Sequence, residues 1–244
     1  MWFFTQHFRQ TKLRWLIVMA SCFFAMPPLH ADPSPTPTHR ITSQEITTIA
    51  KMSHLKFNVT PEVVAEINFI RSHQDARLQM LASLQRMQNY KPYIQKQLRR
   101  NAMPSYLLAL PLIQSGYRPL DESIHPFHAA GIWQFSPSMS KECGLIINAK
   151  LDERLNTARS TEAAIVLLGS LYEKYHDWRL AMFIYEFGDE AIDRLIQRVH
   201  SHNPWTLARS KSAPKEMKRF MTKLDAAIIL INNPKLLAYH EKAL

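Results

Sequence analysis

Cysteine and glycine are scarce in this chain: two of the first and five of the second among 244 residues. Cys22 falls in an N-terminal stretch that reads as removable, which leaves Cys143 without a partner for an internal disulfide. Cys143 precedes Gly144-Leu145 in apolar surroundings, the setting of a buried inert thiol rather than a nucleophile. So few glycines argue against a turn-rich all-β protein. There is no glycine-rich phosphate loop and no dinucleotide fingerprint, so no cofactor is expected. Eleven histidines lack ligand spacing, so no metal is expected either. The formal charge is +10, yet Lys and Arg are scattered rather than clustered, which speaks against a nucleic-acid partner. No apolar run reaches the ~20 residues that span a bilayer.

What is present is a hydrophobic content of 46%, ample for one sizeable core. Arg9, Lys12 and Arg14 precede an apolar run over 15–26 and a small residue, Ala31, before Asp32. That order describes a secretory signal peptide over 1–31 and an exported, periplasmic protein. Met19-Ala20-Ser21-Cys22 loosely resembles a lipobox, so a lipid anchor at Cys22 is the alternative. Residues 32–42, rich in Pro, Ser and Thr, read as an extended linker. Residues 43–102 read as an N-terminal helical extension. Its helices are a weak one bearing Ile46, Ile49 and Met52, and one opened by Thr60-Pro61-Glu62 over Val63, Ile67 and Ile70. A third carries Leu78, Leu81, Leu84 and Met87, and Pro92 opens a further segment. Residues 103–235 form the principal domain and 236–244 a tail. Within it, Ser136-Pro137, Ser160 and Asp177 read as helix starts, and residues 215–232 as a last amphipathic helix. The fold class is all-α.

The stretch that organises the chain is residues 103–115, MPSYLLALPLIQS. Pro104 suits a first helical position. Tyr106, Leu107, Leu110 and Ile113 make one buried stripe, and Pro111 should tilt the last turn. Ser115-Gly116 lets the chain turn sharply, leaving Gln114 as the polar side chain that this helix delivers.

LALPLIQSGYRP resembles the active-site helix of the membrane-bound D type of lytic murein transglycosylases, in the goose-type-lysozyme-like superfamily. There the motif reads Leu-Pro-x-x-Glu-Ser, and the Glu is the catalytic acid; this chain has Gln114. Residues 129–135, AAGIWQF, are similar to the family's second motif, Ala-Gly-Leu-Trp-Gln-Phe. Ile184-Tyr185-Glu186-Phe187-Gly188 resembles the third, Ala-Tyr-Asn-x-Gly, with Glu186 in place of the Asn. The resemblance runs over roughly residues 60–235. It implies a lysozyme-like fold of the soluble-lytic-transglycosylase (SLT) type and peptidoglycan glycan strands as the partner. It also implies Ser115, Gly131, Trp133, Gln134 and Tyr185 as substrate-binding residues. Trp133 would offer a stacking face, Gln134 an amide, and Gly131 close approach of backbone to sugar.

The reaction so implied cleaves the β-1,4 bond between N-acetylmuramic acid and N-acetylglucosamine to a 1,6-anhydro product, with one carboxyl acting as acid and then base. A Gln amide neither gives nor takes a proton near neutrality. The expectation is therefore a peptidoglycan-binding protein with impaired catalysis. One alternative is an active enzyme whose acid has moved to Glu186, with Asp121, Glu122 and Asp189 on nearby loops. Against it, Glu186 also reads as a solvated helix-end carboxylate. The other alternative is a partner-binding component of an envelope assembly.

Overall fold

The first described helix opens on a capping box: Thr42 N–H donates to Glu45 (2.7 Å), and Glu45 N–H returns the bond to Thr42 Oγ1 (3.3 Å). That box opens α1 (Ser43–Met52). The computed structural model describes residues 40–53, 59–121 and 128–238. The expected signal peptide, Cys22, most of the linker and Glu122 lie outside the described residues.

Thr60 caps and Pro61 opens α2 (Pro61–Ser72), whose Val63, Ile67 and Ile70 are buried as their spacing requires. The next helix departs from the sequence expectation. Pro92 starts no new segment; it sits inside one unbroken 27-residue helix, α3 (Gln74–Arg100). A proline costs an interior helix roughly 3 kcal/mol. Here one stripe of Leu84, Met87, Ile94 and Leu98 is buried on both sides of it, and that burial outweighs the lost bond. Leu81, assigned to the stripe, is 39% exposed. The organising stretch is also more broken than one helix. Pro104 precedes a 3-10 turn, Ser105–Leu108, which runs into α4 (Ala109–Gln114). Pro111 therefore lies in the first turn of α4, where its missing N–H costs little.

Ser136 caps α5 (Pro137–Glu142), and a two-stranded antiparallel hairpin follows, β1 (Ile147–Asn148) and β2 (Leu151–Asp152). Asn156, not Ser160, caps α6 (Thr157–Tyr175), accepting from the Ala158 and Arg159 amides. Ser160 lies one turn inside, its hydroxyl donating back to Asn156 O. Asp177 caps α7 (Trp178–Phe187), Gly188 at φ 81° breaks the line, and α8 (Asp189–Val199) follows. The short α9 (Pro204–Ala208) leads to α10 (Lys215–Asn232) and a closing 3-10 turn, Pro234–Leu237.

The helix at the centre is α10. Met217, Phe220, Met221, Leu224 and residues 226–230 are all buried, and the helix packs on α2, α4, α7 and α9. Phe220 meets Phe187 edge-on, with centroids 5.5 Å apart. On the same helix Asp225 is fully buried and salt-bridged to Arg179 (2.5 Å), while also accepting from the Trp205 indole (2.7 Å). Because α2 and α10 pack together, the N-terminal helices share one core with the rest. Among the described residues the all-α expectation holds, the hairpin being the sole sheet. No described helix is long and apolar enough to cross a membrane.

Candidate functional site

The segment 129–135 folds into a tight turn, closed by reciprocal bonds between Ala130 and Phe135 (both 3.1 Å). Gly131 is at φ 79°, and a Cβ there would lie 1.9 Å from Arg154 O. The glycine thus serves a close approach to the Arg154 backbone, not to a sugar as its motif suggested. Trp133 is likewise corrected. It is fully buried, with its indole N–H donating to Thr161 Oγ1 (3.0 Å), so it has no face to offer a ligand. Gln134 is 8% exposed and turns inward, donating to Gly131 O at 2.6 Å. Arg154 sits beneath the turn, paired with Asp152 and donating to His128 O and Phe135 O.

Two helix ends are fastened to this turn. Ser115, just past α4, donates to Ile132 O (2.8 Å), and Tyr185, near the end of α7, donates from its hydroxyl to Trp133 O (2.8 Å). Both side chains are buried, so they anchor the scaffold where substrate contact was expected. The anchors fix the positions of their neighbours. Residue 114 precedes Ser115 and residue 186 follows Tyr185, and the two side chains meet: Gln114 Nε2 donates to Glu186 Oε2 at 2.5 Å. Glu186 is only 7% exposed, which overturns the picture of a solvated helix-end carboxylate. Burial drives its pKa up to about 7, against the lowering effects of the Gln114 bond and the Lys223 charge.

Gln114 also lines a cavity of ≈ 120 Å³. Its walls bring Glu66 from α2, Met80 and Arg86 from α3, Arg118 and Lys223 together around the end of α4. Glu186 does not line it, so the amide stands between the carboxyl and the cavity. Burial raises the Glu66 carboxyl, opposed by Lys223 and Arg219; burial lowers Lys223, opposed by Glu66. The other proposed carboxylates are elsewhere. Asp121 is exposed, and Asp189 is the first residue of α8 rather than part of a loop. Cys143 is half-buried with its thiol raised to about 12 by burial and then by Glu142, unsuited to nucleophilic work. Among the described residues no group of His, Cys, Asp and Glu is placed to hold a metal ion. Glu66, Arg86 and Lys223 escaped the sequence reading because each sits on an ordinary amphipathic helix outside every motif.

Residues 91–208 match the family described as Transglycosylase SLT domain. This segment is similar to an SLT domain, and the fold is the mostly helical, lysozyme-like one. Two curated proteins named membrane-bound lytic murein transglycosylase D, from Escherichia coli K12 and Escherichia coli O6:H1, are each 28% identical over 151 residues. That alignment covers 62% of this chain and 33% of each relative, so the chain spans about a third of the proteins it matches. These matches support the lytic transglycosylase family. The matching segment contains Gln114, the 129–135 turn and Glu186, whereas residues Glu66, Arg86 and Lys223 lie outside it.

Proposed function

We propose that this chain binds peptidoglycan glycan strands on an SLT scaffold and does not cleave them, in the periplasm after export by its N-terminal leader. The observation that carries this is the hydrogen bond between Gln114 and Glu186. Protonating a glycosidic oxygen requires a carboxylic acid that touches it. Position 114, which lines the cavity, holds an amide; the carboxyl bonded to it, Glu186, is shut behind it, and the acid on the cavity wall, Glu66, is set against the Lys223 charge. Losing general acid–base catalysis costs on the order of 10²–10⁴ in rate, and here one group would be used twice. Gln is nearly isosteric with Glu and keeps one acceptor oxygen while the other becomes an N–H donor, so hydrogen bonding to a sugar is retained. The binding unit comprises the extension (43–102) as well as 103–235, since α2, α3 and α10 supply cavity walls.

A second reading is an active transglycosylase using Glu186, and a specific observation favours it. A carboxyl with a pKa of about 7 is well poised to act as a general acid. That reading needs Gln114 to swing aside and expose Glu186. Binding itself is tested by co-sedimentation of the mature chain with purified sacculi. Partition into the pellet is expected, saturable and competed by soluble glycan strands; a chain that stays in the supernatant rejects the proposal.

A further inference from the structure

Two arginines on the wall of the Gln114 cavity are held by the end of α4. Arg86 Nε donates to Gly116 O (2.8 Å) and its Nη2 to Ser83 Oγ (2.9 Å), while Arg118 Nε donates to Ser115 O (3.1 Å). These bonds take one edge of each guanidinium and leave Arg86 Nη1 and both Nη groups of Arg118 for a ligand. Among the described residues neither arginine has a carboxylate partner. They sit close enough that, after burial, the Arg118 charge is the next cause lowering Arg86. Like charges so placed repel unless an anion comes between them. Lys223 and Glu66, coupled by charge, also line the cavity, so among the described residues the lining carries three cations against one acid. The remaining wall, including Met80, Leu112 and Ile113, is apolar. Guanidiniums tethered through Nε in this way form a ready fork for a carboxylate.

We infer that Arg86 and Arg118 form an anion subsite beside Gln114 that takes a carboxylate carried by the bound glycan. This rests on the glycan-binding reading above and adds to it that the chain selects acidic strands. The carboxylate has two sources: the lactyl group of the muramic sugar and the stem peptide attached to it. A neutral N-acetylglucosamine polymer has neither.

The experiment measures affinity for three strands of equal length. One bears peptides, one has been stripped of peptides so that its lactyl carboxylates are free, and one is a chitin oligomer. The expected result is at least tenfold tighter binding of one or both acidic strands than of chitin, with the tighter one identifying the source. The preference should shrink at high salt. Arg118→Gln, whose tie among the described residues is to its own turn, should bring the acidic strands towards the chitin affinity. Arg86→Gln should do the same if the fold survives loss of its Gly116 bond. Equal affinity for all three strands overturns the subsite and leaves glycan binding standing. If no strand binds, the glycan reading fails, and a separate readout decides the subsite: the side-chain Nε–H NMR signals of Arg86 and Arg118 during titration with free N-acetylmuramoyl dipeptide. Shifted signals uphold an anion subsite, and unmoved ones refute it.

Discussion

Replacing Gln114 by Glu would set two carboxyl groups against each other where a donor and an acceptor now meet. The present contact is 2.5 Å, and Glu186 is already raised to about 7 by burial. Two unit charges ~3 Å apart at an effective dielectric of ~20 repel by roughly 5 kcal/mol, equivalent to about four pH units. The substitution also removes the amide donor that now lowers Glu186. The pair should therefore hold one proton in common through neutrality and lose it only in an upper step above pH ~9, as interacting sites do. That proton would sit partly on position 114, facing the cavity, where a general acid is needed. Carbon-13 NMR titration of glutamate carboxyls checks this. The parent should show one buried carboxyl titrating near 7, and the variant two coupled steps with the upper one far above it. If both carboxyls of the variant titrate below pH 6, water screens the pair or the side chains have parted. Proximity would then fail to couple the two carboxyls.

Glu186 also makes stability depend on pH. Its pKa is about 7 folded against an ordinary 4.5, so protonation favours the folded state and its contribution is full below pH ~4.5. That contribution is lost as pH rises to about 7, amounting to roughly 3 kcal/mol. Glu186→Gln should thus match the parent in urea unfolding near pH 4.5 and exceed its stability by about 2–3 kcal/mol at pH 8. Asp225→Ala should cost about 3–5 kcal/mol in chemical denaturation, because it strands the Arg179 charge and the Trp205 N–H. Gly131→Ala should destabilise by several kcal/mol and lower the thermal midpoint, since its methyl group meets Arg154 O and its φ is positive.

The sequence motifs located the right segments, but not the direction in which their side chains point. AAGIWQF is legible as a motif from its resemblance, but the tight turn it forms is not. Whether Trp133 faced a ligand or the core depended on Thr161, which lies 28 residues away. Ser115 and Tyr185 look like ligand-contacting polar groups in sequence, yet both spend their hydroxyls on backbone carbonyls of one turn. The pairing of Gln114 with Glu186 spans 72 residues, and no local pattern encodes it. Helix starts at Thr60, Ser136 and Asp177 were legible because capping is a local transaction between neighbouring groups. Pro92 was misread because a proline's local cost says nothing of the tertiary burial that opposes it.

The central question is whether the Gln114–Glu186 pair is catalytically closed. Mature protein is incubated with sacculi from pH 5 to 8, alongside Glu186→Gln, and the soluble fraction is analysed by mass spectrometry for 1,6-anhydro muropeptides. None is expected from either protein at any pH; anhydro products from the parent that disappear with Glu186→Gln would show that the pair is an open, working acid.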